Sequence, residues 1–357
     1  MKIISGLNGL RALAVFLVII AHWELLPLLG IYINKAMFNG LFGVDLFFVI
    51  SGFLITSILL KSKIQIEEGV TSRKNAFINF YFRRILRIFP LYYSILFILY
   101  ILKYPGFSDY LLNYLTYTEN IGVVVRKSWD SYSLTWSLSV EEQFYLIWPL
   151  VIIILNRKYL LWTILLFIII GPLFSMLQLR FFGNGFWFLT PSCFDSFGMG
   201  ALISYFFIKN KTDFLFKIIK YLVPIAILLL YYWTVAENGG HMQYLKTFFN
   251  SIISMYLILI CIGPKPKIVK NILECKILDY LGMVSYGLYL IHEPIPYFYH
   301  KYLSFNPFMD FIIMLFILIT LAFMSYFLFE KYFLNLKKYF IDEIPNNKTN
   351  IHGESLL

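Results

Sequence analysis

Two ionisable side chains stand inside the first apolar stretch of the chain, Arg11 and His22 in GLRALAVFLVIIAHW. On an α-helix turning about 100° per residue, eleven positions leave them only about 20° apart in rotation and roughly 16 Å apart along the axis. A guanidinium at one end of a helix face and an imidazole at the other suit a substrate with phosphate at one end and a reactive carbonyl at the other. Arg11 would grip phosphate through a bidentate contact, and His22 would serve as general base. An acyl-CoA thioester has that shape. The plainer alternative is that Arg11 snorkels to lipid headgroups while His22 is a hydrogen-bonded packing residue.

Further polar residues recur in apolar surroundings, where charge is expensive and by default marks function or a buried pair. Asp45, in GVDLFFVISGFLIT, matches His22 in expected depth and is expected to orient its imidazole; Ser51 and Gly52 are expected to let helices approach closely. In YFRRILRIFP, Arg84 and Arg87 share a helix face with Arg83 beside them, a second grip for phosphates or a topology-setting basic cluster. TWSLSVEEQFYLIWP puts Glu141 and Glu142 near Trp136 and Trp148, acids beside aromatics that suit a sugar, although tryptophan is also common at membrane interfaces. His292 in SYGLYLIHEPIP is either a pocket residue or a neutral core histidine, Glu330 is expected in an ion pair with Arg84, Arg87 or Arg11, and Asp195 is a weaker acceptor candidate.

The elements that must position these groups follow from composition. Of 357 residues, 60% are hydrophobic, 20% aromatic and only 14% charged, which departs from soluble domains toward lipid. The apolar residues fall in blocks long enough to cross a hydrocarbon core of about 30 Å. The reading is an all-α polytopic membrane protein of about ten helices, near 10–29, 41–61, 86–103, 138–155, 159–178, 192–208, 218–234, 247–264, 282–300 and 308–330. Lys and Arg crowd into alternate connecting segments, which predicts both termini on the cytoplasmic side. The net charge of +10 therefore reflects topology, and no nucleic-acid motif accompanies it. Two connections are long: a basic cytoplasmic one near 62–85, and an outer one near 104–137 carrying Asp109, Glu119 and Asp130, expected to cover an external cleft.

One membrane domain is expected over residues 1–335, followed by a polar, disordered cytoplasmic tail over 336–357. Cys193, Cys261 and Cys275 have neither disulfide nor metal spacing and are expected to pack, and no metal site is expected. The first apolar block lacks a small-residue cleavage site and carries Arg11 and His22, so it is not expected to be a cleaved signal peptide.

These residues resemble the membrane acyltransferase-3 family of bacterial integral-membrane O-acyltransferases. The resemblance runs over about residues 5–333 and is carried by GLNGLRALAVFLVIIAHW, GVDLFFVISGFLI, RRILRIFPLYY, TWSLSVEEQFYLIWP, SYGLYLIHEPI and SYFLFEK, in order. It implies a multi-pass protein of the bacterial cytoplasmic (inner) membrane that moves an acyl group, usually acetyl, from cytoplasmic acyl-CoA to a hydroxyl. The implied acceptor is an extracytoplasmic or lipid-linked carbohydrate. The family's arginine–histidine motif falls on Arg11 and His22, its Arg-x-x-Arg on Arg84 and Arg87, and its motif glutamate on Glu141. Its span-nine histidine and terminal glutamate fall on His292 and Glu330. Lys331 and Tyr332 follow Glu330 where the family often has proline, and TPSCFD, with Ser192 and Asp195, lacks an arginine common there. Many relatives of this family carry a fused extracytoplasmic hydrolase-like domain, and none is expected within these residues.

The implied partners are acyl-CoA as donor substrate, with no permanently bound cofactor, a surface glycan or lipid-linked sugar, membrane lipid and glycan-synthesis proteins, and no nucleic acid. A competing reading is a transporter or exporter of a glycan or lipid-linked sugar; it would lead one to expect inverted repeats or paired broken helices, and neither stands out. A third is an inactive partner of a glycan synthase.

Overall fold

The apolar blocks fold as helices, since backbone polar groups in lipid must be satisfied within the segment. The computed structural model describes residues 4–25, 40–129, 131–182, 188–235, 245–263 and 266–340, and among these there is no strand. In chain order the helices are α1 (Leu7–His22), α2 (Leu41–Glu67), α3 (Arg73–Ile101), α4 (Leu111–Leu115) and α5 (Glu119–Arg126). Then come α6 (Thr135–Ile154), α7 (Arg157–Phe182), α8 (Phe194–Ile208), α9 (Thr212–Val235) and α10 (Lys246–Ile262). The remainder are α11 (Lys267–Leu273), α12 (Lys276–Met283), α13 (Ser285–Ile291), α14 (Pro294–His300), α15 (Pro307–Ser325) and α16 (Lys331–Asn335). A π turn, Tyr326–Glu330, joins α15 to α16, and a 3₁₀ turn, Leu336–Phe340, follows.

Among the described residues, six helical runs are long and apolar enough to cross a membrane: 41–67, 73–101, 135–154, 157–178, 212–232 and 307–340. The protein is therefore a multi-pass, all-helical membrane protein. The other expected spans hold shorter helices. At 1.5 Å per residue, α1 and α8 reach only about 24 Å and 22 Å, and the ninth is broken into α12, α13 and α14, with Pro294 starting the last piece.

The expected long connection near 62–85 is mostly helix: α2 continues to Glu67 and α3 starts at Arg73, its first turn capped by Ser72 Oγ accepting from Asn75 N. Lys63, expected in that loop, is buried, and its ammonium donates to the carbonyls of Ile152, Ile153 and Leu155 at the C-terminal end of α6. A cation there satisfies carbonyls that no helical N–H can reach.

The connection between α3 and α6 contains α4 and α5, which pack against both helices. Tyr92 and Tyr93, midway along α3, donate to the carbonyls of Tyr114 (2.8 Å) and Leu115 (3.1 Å). Gln143 of α6 donates to Tyr117 O at 2.8 Å. At the tip Tyr117 adopts φ 52°, a left-handed conformation that is uncommon for a bulky residue. Glu119 is fully buried and paired with Arg126 at 2.7 Å, Asp109 is exposed, and Asp130 lies outside the described residues.

Helices α2 and α8 pack backbone against backbone. A Cβ on Gly52 would fall 2.2 Å from Phe197 O, and one on Gly200 2.1 Å from Val49 O, so only glycine permits this backbone approach. Cys193 and Cys261 are buried in packing positions. The ordered chain continues past residue 335: the 336–340 turn packs on α3, with Phe340 stacked on Phe82 at 4.9 Å. The remaining tail, from 341, lies outside the described residues.

Candidate active site

Two helices bring three cations to one cavity. Arg11 of α1 and Arg84 and Arg87 of α3 line it together with Ser51 of α2, Glu141 and Tyr145 of α6, and Tyr286 and Tyr289 of α13. Its empty volume is about 790 Å³, mouth included, within the usual range for small-molecule sites. Ser137, Glu141 and Tyr145 succeed one another at i, i+4 and i+8, so one stripe of α6 faces the cavity. Among the described residues none of the three arginines forms an ion pair. Arg11 donates to the amide oxygen of Asn8, at 3.3 Å, and Arg84 lies over the Tyr145 ring at 5.5 Å. Clustered guanidiniums without carboxylate partners repel one another unless an anion joins them, and a phosphate matches their fork.

Glu141 lines this cavity together with the arginines. Its Oε1 accepts from Ser51 Oγ and from Tyr145 OH, the latter at 2.5 Å. Ser51 thus lines the cavity, while its neighbour Gly52 provides the helix approach expected of both. Glu142, one position round α6, falls off the cavity wall. Trp136 is buried between Phe48 (6.2 Å) and Phe188 (4.3 Å), so its ring is taken up by packing.

At the end of the cavity away from the arginines stands Tyr289, its hydroxyl 2.6 Å from Ser137 Oγ. Tyr289 leads directly to the histidines, because its carbonyl oxygen lies 2.6 Å from Nδ1 of His292. A carbonyl only accepts, so that nitrogen carries the proton and Nε2 of a neutral His292 is an acceptor. His22 Nδ1, 2.7 Å from His292 Nε2, must then donate. The chain of bonds leaves the lone pair of His22 on Nε2, the tautomer of a general base. His292 is fully buried, its carbonyl accepting from Trp23 Nε1 at 3.1 Å, whereas His22 is exposed at the last turn of α1. A helix C-terminus stabilises imidazolium, as a base gaining a proton requires.

The expected His22–Asp45 pairing is replaced by His22–His292. Gly43 faces α1, where a Cβ would meet Ala14 O. Asp45 is two residues further, about 200° round the helix, and so points away from His22. It accepts from Asn250 Nδ2 of α10 at 2.8 Å. Asp195 is buried beside Gly171 and Ser196, apart from the cavity lining. Glu330, expected in an ion pair, instead accepts from Ser325 Oγ at 3.1 Å across the π turn and forms no ion pair among the described residues. Tyr145, Tyr286, Tyr289 and Ser137 escaped the sequence reading; the four-residue spacing of Ser137, Glu141 and Tyr145 was the available signal.

Comparison with known proteins identifies the family. The family model described as an acyltransferase domain, acyltransferase-3, matches residues 4–327. The Staphylococcus aureus (strain COL) protein named "Putative O-acetyltransferase SACOL0978" is 27% identical over 335 residues, covering 85% of this chain and 52% of that protein. The O-acetyltransferase OatA of Staphylococcus aureus (strain NCTC 8325 / PS 47) is 28% identical over 331 residues, covering 84% of this chain and 52% of OatA. The chain thus spans about half the length of the curated relatives it matches. No solved structure matches it. With the match running from the start of α1 into the π turn before Glu330, the chain belongs to the acyltransferase-3 family.

Proposed function

We propose that this protein is an O-acyltransferase that takes an acyl group, acetyl by default, from cytoplasmic acyl-CoA. It delivers that group to a hydroxyl of an extracytoplasmic or lipid-linked carbohydrate, working in the bacterial cytoplasmic membrane with the Arg11 end of α1 facing in. The observation that carries the reading is a continuous series: three guanidiniums on one cavity with no ion pair among the described residues, Tyr289 at its far end, and His292 and His22 beyond. The arginines hold the donor's phosphates, and the acyl thioester reaches toward His22. His22 Nε2 accepts the proton of the acceptor hydroxyl as its oxygen attacks the thioester carbonyl. The C–S bond then breaks, and the CoA thiolate leaves with the proton from His22. His292 keeps Nδ1 of His22 engaged throughout and so fixes the ring orientation. Asp45 and Asp195, away from both ends of this path, support the bundle in this scheme, and Glu141 balances cavity charge while holding Ser51 and Tyr145.

The test is to incubate membranes containing the protein with acetyl-labelled CoA and to follow label into extracted, alkali-sensitive glycan. Label dependent on the protein supports the reading. Movement of intact glycan without consumption of the thioester contradicts it.

A further inference from the structure

The first turns of α1 are clamped from two directions before the helix reaches the cavity. A Cβ on Gly9 would fall 2.3 Å from Leu273 O at the end of α11, and one on Gly282 of α12 would fall 1.9 Å from Asn8 O. Backbone meets backbone at both places, which fixes this part of α1 against α11 and α12. Asp279 lies three residues before Gly282 and so shares the face of α12 turned toward α1. Its Oδ1 accepts from Asn8 Nδ2 at 2.9 Å. Asn8 in turn lies three residues before Arg11, and its Oδ1 accepts from the Arg11 guanidinium at 3.3 Å. A carboxylate only accepts and a guanidinium only donates, so the amide between them has one orientation that satisfies both. Asn8 is half-buried and Asp279 exposed; neither lines the cavity, whereas Arg11 does. No ion pair joins Asp279 to Arg11 among the described residues.

Resting on the donor reading above, we propose that Asn8 and Asp279 are positioning residues for Arg11, aiming its guanidinium at the donor's phosphates. A carboxylate placed directly on Arg11 would occupy its fork and neutralise the charge that an incoming phosphate needs. A neutral amide with a carboxylate behind it orients the guanidinium and leaves that charge available. An arginine already ordered also gives up less conformational freedom when the donor binds. The broken ninth span thereby serves both ends of the donor site: α12 sets Arg11, and α13 carries Tyr289 and leads to His292.

The test uses full-length protein in membranes and measures the affinity for labelled acetyl-CoA, with kcat at saturating donor. Asn8→Ala and Asp279→Ala should each weaken acetyl-CoA binding about three- to tenfold, the value of one hydrogen bond, with kcat little changed. Asp279→Asn, whose amide oxygen still accepts from Asn8, should recover most of the affinity. In an Arg11→Ala background neither alanine substitution should weaken binding further, because both act through the guanidinium. Loosened packing of α12 would instead weaken binding with or without Arg11. Affinity is a property of the folded fraction, so a variant that folds poorly still reports it. Equal weakening in the two backgrounds, or no weakening in either, overturns the assignment while leaving the donor reading intact. If the wild type neither binds acetyl-CoA nor transfers its acetyl group, the donor reading falls and this inference with it.

Discussion

His22 Nδ1 and His292 Nε2 are 2.7 Å apart, and because His292 Nδ1 faces the carbonyl of Tyr289, only one direction of hydrogen bonding satisfies the neutral pair. The exposed nitrogen of His22 is thus the basic one, and a residue on another helix makes it so. Replacing His292 with Ala removes the acceptor for His22 Nδ1–H and frees the ring to rotate. The expected result is a fall in kcat of roughly 10²-fold with donor KM little changed, since loss of a positioned base costs about 10²–10⁴-fold. His292→Gln, able to accept through its amide oxygen, should retain more activity than His292→Ala. Equal losses in kcat and donor affinity would assign His292 to substrate binding instead.

The arginines should behave as donor ligands. Arg84→Ala and Arg87→Ala are each expected to raise the KM for acetyl-CoA about 10- to 100-fold, the value of a charge-assisted hydrogen bond of about 1.5–3 kcal/mol. Lysine should rescue only in part, because it lacks the fork. Initial-rate kinetics at fixed acceptor concentration measure this directly.

Asp45 and His22 should be energetically independent, whereas Asp45 and Asn250, joined at 2.8 Å, should be coupled. In a double-mutant cycle on thermal stability in detergent, Asp45→Ala with Asn250→Ala is expected to deviate from additivity by about 0.5–3 kcal/mol. Asp45→Ala with His22→Ala should add. Strong coupling to His22 would restore Asp45 as the group that orients the base.

The close approach of α2 and α8 predicts a stability effect separate from chemistry. Gly200→Ala places a Cβ 2.1 Å from Val49 O, backbone that cannot yield without moving a helix. A loss of at least about 1–3 kcal/mol is expected, as for overpacked cores, read as a lower melting temperature and less folded protein in membranes.

The helical membrane class was legible in the apolar blocks, because length and composition alone decide whether a segment can sit in lipid. Arg11, Arg84 and Arg87 were legible for the same reason: guanidiniums in apolar surroundings demand an explanation. Helix rotation was not. Matched depth suggested His22 with Asp45, but a two-residue offset from Gly43 turns Asp45 toward α10, and His292 takes its place. Glu141 was read from its tryptophan neighbours in sequence, whereas its bonds to Ser51 and Tyr145 depend on how α2 and α6 pack. Neither the inserted α4–α5 segment nor the 336–340 turn carried a local signal, since a long loop and a polar tail look alike whether or not they fold back against the bundle.

The most direct test of the central claim compares wild type with His22→Ala and His22→Gln, brought to equal levels in membranes with acetyl-labelled CoA and native envelope glycan. If His22 Nε2 is the base, wild type alone should place alkali-labile label on glycan, with both variants near background though folded and still binding CoA. Label transfer at the wild-type rate in either variant would remove His22 from the chemistry and contradict the account.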